Sequence, residues 1–177
     1  MLKTKRTIID ILLENEAALL HKYYIENQAH LAPWEPVRDE NFYSFENVQN
    51  NVNSARIAYQ EGREYKFVAL SLDRSEVIGV CNFTGVCRGP FQACFLGYSI
   101  AKKYEGQGYM REILESAIEF MFNTVGLNRI MANYIPDNER SGRLLKSLGF
   151  EREGYARKYL KIAGRWQDHI LTSKINE

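Results

Sequence analysis

Apolar residues along the chain follow two periods, and the changes between them mark its elements. Residues 7–12, Thr-Ile-Ile-Asp-Ile-Leu, form a short apolar run that reads as a first strand. Ala17, Leu20, Tyr24 and Ile25 then recur at helical spacing and predict a helix over about 14–28. The next segment, 30–37, holds Pro33 and Pro36, which argue against regular structure, and it carries Trp34. A loop Trp either packs down onto its own domain or walls a binding site held by a rigid scaffold. A second helix is predicted at Phe45–Gln60. Tyr65–Leu70 and 77–83 read as strands joined by the polar turn Asp73-Arg74-Ser75, and 91–100 as a third strand. Three successive strands with no helix between them are antiparallel neighbours.

The second half changes rhythm. Ile113, Leu114, Ala117, Ile118, Met121 and Phe122 make an apolar stripe, so Tyr109–Asn123 is predicted helical. Residues 130–135 read as a strand. Asn138 or Asp137 caps a helix with Leu144, Leu145 and Leu148 on its apolar face, and Gly149 ends it. Two closing strands, 150–162 and 166–174, are joined by a turn at Gly164. An antiparallel meander, a strand–helix–strand, a short helix and a hairpin make an α+β sheet protein. No repeat or Pro/Gly/Ser tract separates two halves, so residues 1–177 are expected to form one domain.

Composition narrows the function classes. With 45% hydrophobic and 25% charged residues, the 177-residue chain has a globular mixture and can bury a core without staples. Twenty-three Lys and Arg against 22 Asp and Glu leave a net charge of +1, which argues against a protein held to nucleic acid or membrane mainly by bulk charge. Neither DNA binding nor membrane association is expected. Cys81, Cys87 and Cys94 are odd in number, lack metal spacing and lie in apolar runs, so they are expected to be buried reduced thiols. His21, His30 and His169 are scattered, and no metal is expected. No signal-like or membrane-spanning apolar run is present, and a cytoplasmic location is the expectation.

The candidate chemistry lies between the third meander strand and its helix. Gly106 and Gly108 just precede a helix start, where they can adopt positive φ and turn backbone N–H groups outward together. With the helix dipole this makes an anion cradle suited to a phosphate. The dinucleotide fingerprint fails, because Arg111 stands at its third glycine position, and no P-loop pattern is present.

Two segments then carry a family resemblance. Lys103-Tyr104-Glu105-Gly106-Gln107-Gly108 is similar to the cofactor motif [RQ]-x-x-G-x-[GA] of the GNAT superfamily of acetyl-CoA-dependent N-acyltransferases, with Lys103 departing from the usual Arg or Gln. The stretch from Asn138 to Phe150 matches that family's N-x-x-[SA]-x-x-[LF]-[LY]-x-x-x-G-[FY] throughout. His30-Leu31-x-Pro33-Trp34-Glu35-Pro36-Val37, Leu96-Gly97-Tyr98-Ser99-Ile100 and Leu148-Gly149-Phe150-Glu151 further resemble the RimJ-type ribosomal-protein-alanine N-acetyltransferases.

The resemblance implies a mixed, mostly antiparallel sheet of about seven strands whose central strands splay. It implies acetyl-CoA as co-substrate, held by Tyr98, Ser99, Ile100, Glu105, Gly106, Gln107, Gly108, Tyr109, Met110, Asn138 and Ser141. It implies transfer to the N-terminal alanine of a small-subunit ribosomal protein, by a monomer or homodimer. Trp34, Glu35, Tyr134 and Asp168 are the candidates for contact with the acceptor.

The reaction is attack of a neutral amine on a thioester. An α-amino group, with a reference pKa of about 7.7–8.0 against about 10.4 for lysine, needs only a weak base. Glu153, Asp168 and Glu35 are candidate bases. Relatives of the RimL type point to Glu153 as base and Ser141 as acid, while Leu145 occupies the position of the tyrosine acid used by other members. Tyr134 is the alternative donor. A backbone donor near Ile100 would meet the oxyanion. Arg140, Arg143 and Lys146 are either a solvated face or contacts to a phosphate of the cofactor or to rRNA. The alternatives are a relative that acetylates lysine or a polyamine, and a ribosome-assembly factor or acetyl-CoA sensor without turnover.

Overall fold

The computed structural model describes residues 1–176 and folds them around one eight-stranded sheet. Its strands are β1 (Leu2–Lys3), β2 (Ile8–Asp10), β3 (Tyr65–Leu70), β4 (Val77–Cys87), β5 (Ala93–Ile100), β6 (Arg129–Met131), β7 (Glu151–Ile162) and β8 (Arg165–Ile175). Their spatial order is β1-β2-β3-β4-β5-β6-β8-β7, antiparallel throughout except for β5 beside β6. Helices α1 (Ala17–Leu31) and α2 (Phe45–Gln60) precede β3; α3 (Tyr109–Asn123) joins β5 to β6, and α4 (Glu139–Ser147) joins β6 to β7.

Both faces of the middle of the sheet are covered, which explains why β3 reads as a continuous apolar run. Phe67 and Ala69 point to a core shared with Phe83, Cys94, Ile113, Leu114, Met121 and Leu145, beneath α3 and α4. Val68 and Leu70 point the other way, into a core with Leu20, Tyr23, Val48 and Val52 of α1 and α2. The α3 stripe is fully inside: Ile113, Leu114, Ala117 and Met121 have no exposed surface. Each aliphatic side chain so buried contributes about 1.5–3 kcal/mol.

Several boundaries differ from the sequence expectation, each for a local reason. The first strand is only Ile8–Asp10, and a short edge strand, β1, precedes it. The predicted first helix starts as a 3-10 turn at Glu14–Glu16 and continues as α1 to Leu31. The prolines do not break it at once: Pro33 sits in a further 3-10 turn, Ala32–Trp34, near its start, where a missing N–H costs nothing. The strand predicted at 91–100 starts at Ala93, because Gln92 has a left-handed φ of 44°. The strand predicted at 130–135 stops at Met131, since the Asn133 side chain accepts the Thr172 N–H and interrupts the ladder before Tyr134 pairs with Ile170. Cys81 and Cys94 are buried, with thiols pushed up to about 12 by desolvation, whereas Cys87 is exposed, at the irregular end of β4. No helix among the described residues is long and apolar enough to cross a membrane.

One close approach controls how β5 is placed. A Cβ built on Gly79 of β4 would lie 2.7 Å from the Ser99 carbonyl oxygen and 3.1 Å from the Met110 methyl. Backbone cannot yield as a flexible side chain can, so Gly79→Ala must push β5 outward. Overpacking of this kind costs about 1–3 kcal/mol. At this chain length it should lower the melting temperature by roughly 2–12 °C in a calorimetric scan; an unchanged melting temperature would show that the contact is slack.

Candidate active site

Strands β5 and β6 share three residue pairs, Ala93–Arg129, Cys94–Ile130 and Phe95–Met131, and then part. Beyond Phe95, β5 stays paired with β4 up to Ile100, while the chain after β6 follows β8 through the Tyr134–Ile170 bridge. The Ala101 N–H donates to the Ile78 carbonyl on the β4 side. Backbone groups alternate along a strand, so those of Ile100 and Tyr98 face the opening. The expected splay is present, with unpaired peptide groups along one wall.

The opening leads to the glycine turn. Gly106 and Gly108 have φ of 71° and 78°, and Gly108 caps α3 with no side-chain acceptor. The first N–H groups of α3 therefore have no intrahelical partner and turn toward the cleft. This loop is braced from outside. Arg6 binds Glu112 at 2.7 Å, donates to the Gln107 carbonyl at 3.0 Å and lies 4.0 Å above the Tyr109 ring. The Gln107 amide donates to the Lys103 carbonyl at 2.6 Å. Lys103 and the Tyr104 hydroxyl both bind Glu76, so the Lys103 side chain leaves the cleft and the loop acts through its backbone. Asn27 of α1 ties in the turn before it, accepting the Lys102 N–H at 2.9 Å.

The cleft has a volume of about 310 Å³. It brings together Trp34, Tyr98, Ser99, Ile100, Glu105, Gly106, Gly108, Tyr109, Met110, Asn138 and Ser141. Gln107 belongs to the turn but does not line the cleft. At the far wall, the Asn138 oxygen accepts the Ser141 N–H at 3.2 Å and so caps α4, leaving its amide nitrogen free for a ligand. Ser141 Oγ and the Tyr98 hydroxyl share a hydrogen bond of 2.6 Å across the gap, and burial pushes the Tyr98 phenol up to about 12. Tyr134 packs so closely on α4 that a Cβ on Gly142 would lie 2.8 Å from its ring. Leu145, at the tyrosine position of other family members, is buried in the core.

Candidate bases separate sharply. Glu153 is not at the cleft: it is bound by Arg129 at 2.7 Å, half exposed, in a second groove of about 770 Å³ between α3 and the start of β7. Arg129 pairs with Ala93 at the opposite end of β5 from Ile100. The Arg129 hydrogen bond also holds the Glu153 carboxyl below its usual range, which weakens it as a base. Asp168 is likewise committed elsewhere, accepting the Tyr155 hydroxyl at 2.6 Å and the Lys158 N–H at 2.7 Å within the β7–β8 hairpin, which hold its pKa low. Glu35 differs. Burial raises its carboxyl above the ordinary value, Arg38 at 3.9 Å only partly opposing this. It does not itself line the cleft but follows Trp34, which does. Its charge reaches Tyr23, whose hydroxyl bonds Ser99, and its carbonyl accepts the Ala163 N–H of the hairpin turn at 2.9 Å.

The fold recruits two residues whose partner the sequence did not show. His30, at the end of α1, reaches Glu105 at 3.2 Å, and Arg140 of the basic helix face binds the same carboxylate from across the cleft. Arg140 holds the Glu105 carboxyl below its usual range. The pairing with residues 75 and 35 positions away gives no local signal. Arg143 instead pairs with Glu139 in its own helix, as a solvated face would. His21 and His169 lie elsewhere, bonded to the carbonyls of Tyr43 and Gln167, and no group of three or more His, Cys, Asp or Glu among the described residues is placed to hold a metal.

Comparison with known proteins agrees with this geometry. The family model for the acetyltransferase (GNAT) domain matches residues 6–151. The chain is 46% identical over 172 residues to the [ribosomal protein uS5]-alanine N-acetyltransferase of Escherichia coli, covering 97% of this chain and 89% of that one. A crystal structure of ribosomal-protein-S5-alanine acetyltransferase from Vibrio fischeri superimposes with a TM-score of 0.95 at 37% identity, over 99% and 96% of the two chains. The Mycobacterium smegmatis RimJ structure, in complex with CoA-disulfide, gives 0.88 at 25% identity over 97% and 86%. The sheet with its splayed central strands, the glycine turn before α3 and these likenesses place the chain in the GNAT acetyltransferase family.

Proposed function

We propose that the protein transfers the acetyl group of acetyl-CoA to the N-terminal alanine of a small-subunit ribosomal protein, the class of acceptor for which the E. coli and V. fischeri relatives are named, and that it works in the cytoplasm. The observation that carries the reading is the unpaired edge of β5 running into the two left-handed glycines at the start of α3. That edge offers hydrogen bonds to the amides of an extended pantetheine arm, and the cradle offers N–H groups and a helix dipole to its diphosphate. The Asn138 amide is the polar partner on the opposite wall.

Transfer proceeds by direct attack with both substrates bound. Glu35, kept basic by burial, takes a proton from the α-amine, directly or through water. The Ile100 N–H faces the opening, where an oxyanion would develop. Ser141 donates to the departing thiolate, with Tyr98 behind it. Trp34 walls the acceptor side, and Tyr134 packs behind Ser141 against Gly142.

The direct test is mass spectrometry on paired peptides, one with a free N-terminal alanine and one with a blocked terminus and internal lysines. A single acetyl on the alanine terminus is expected. Modification of the lysines alone would move the protein to a lysine or polyamine acceptor.

Two substitutions separate the bases. Glu35→Gln should lower kcat at least tenfold while leaving acetyl-CoA affinity unchanged, whereas Glu153→Ala should keep near wild-type turnover. A tenfold loss in Glu153→Ala, with Glu35→Gln unaffected, would reverse the assignment.

The pH profile follows from the direction of the Glu35 shift. Its carboxylate is the active form, and its pKa lies above the ordinary carboxylate value, so activity is lost as pH falls through that raised pKa. The acceptor amine already gives log(kcat/KM) an acidic limb of slope about one. Glu35 should steepen that limb to about two at lower pH, and Glu35→Gln should keep slope one throughout.

A further inference from the structure

The β7–β8 hairpin holds four cations without an ion-pair partner among the described residues. Arg157, Lys158, Lys161 and Arg165 fall within nine positions, and no acidic residue lies between 154 and 167. All four are exposed, and none makes an ion pair among the described residues, although Arg6, Arg74, Lys103, Arg129 and Arg140 all do. Asp168, whose charge reaches Arg157, is already held by the Tyr155 hydroxyl and the Lys158 N–H. In a molecule of net charge +1 this is a concentration, not a general excess.

Aromatic and apolar side chains are interleaved with these cations. Trp166 is 61% exposed, and Tyr155, Tyr159 and Leu160 are also open to solvent. Lys161 and Trp166 are cross-strand partners, and Tyr155 pairs with Ile170. By strand alternation Lys161, Trp166 and Tyr155 therefore share one face, with Arg157 two positions on from Tyr155, whereas Arg165 pairs with Ile162 and starts from the other face. β7 is the last strand of the sheet, so nothing in the fold covers its outer edge.

We propose that this hairpin face binds single-stranded nucleic acid, its cations following the phosphates and Trp166 stacking on a base. Bases stack on aromatic faces with little regard to sequence, and a cationic groove supplies the backbone attraction. A membrane is a poor fit, because the apolar tip it would need is tied down: the Ala163 N–H bonds the Glu35 carbonyl, and a Cβ built on Gly164 would lie 3.6 Å from Val37. The same tie sets the face beside Trp34 and Glu35, the residues proposed above to meet the acceptor. The identity of the nucleic acid as RNA rests on the ribosomal acceptor proposed above; the binding surface does not.

The test is fluorescence anisotropy of a labelled mixed-sequence twelve-nucleotide RNA with the full-length protein, titrated at several salt concentrations. Three phosphate contacts predict a log–log salt slope of about −2.1. The combined variant Arg157→Gln, Lys158→Gln, Lys161→Gln should weaken binding at least tenfold and bring the slope near zero. Trp166→Ala should weaken it by roughly five- to a hundredfold. Both variants should keep the wild-type melting temperature and acetyl-CoA affinity, which shows that loss of RNA binding is not loss of fold and leaves the acetyl-transfer reading untouched. No binding at low salt, or binding that the glutamine variant leaves unchanged, would overturn the proposal. So would RNA affinity indifferent to Trp166 together with equal competition by an acidic peptide, which would assign the face to a protein partner.

Discussion

The three-residue contact between β5 and β6 is the constraint on which the other elements depend. Two parallel strands that stayed paired would satisfy their own backbone and offer nothing to a ligand. These two separate after Phe95, and each is held on its outer side, β5 by β4 and the chain after β6 by β8. Buried peptide groups without partners are costly, so an open edge persists only where solvent or a ligand can serve it. Gly79 on one side and the capped α4 on the other keep the opening at its observed width.

Around that opening the charged side chains are paired with one another and not with the N–H groups of the glycine turn. An imidazole, a guanidinium and a carboxylate from three separate elements, His30, Arg140 and Glu105, meet over the cleft, so the one acidic side chain of the glycine loop is already engaged. Arg6 acts on the loop from beneath through a carbonyl and a ring, so its charge shapes the turn. The loop's own lysine is bound to Glu76. What the turn offers an anion is thus its backbone and the helix dipole, which do not titrate.

Much of this was legible in the sequence where the determinant is local. The α3 stripe, the Asn138 cap, Gly149 and the two glycines before α3 are each decided by a few neighbouring residues, and all lie where the pattern put them. What failed was long-range. Glu153 sits one strand pair away from Arg129, and which end of the sheet it joins depends on register and not on composition. Cys87 follows a bulge that no apolar count reveals. Glu35 could be named as a candidate, but its burial, which distinguishes it from Asp168, comes only from the packing of α1 and its following turn.

The bond from the Ala163 N–H to the Glu35 carbonyl closes a circuit. From Ser99 one can pass to Tyr23 of α1, along α1 to Glu35, across to the hairpin, down β8 to β6 and back to β5, without leaving bonded or hydrogen-bonded contact. A segment fixed in such a ring cannot shift alone: the stretch that carries Trp34 and Glu35 is held at one end by α1 and at the other by the β7–β8 hairpin, so a change in the hairpin turn is felt at the wall of the cleft.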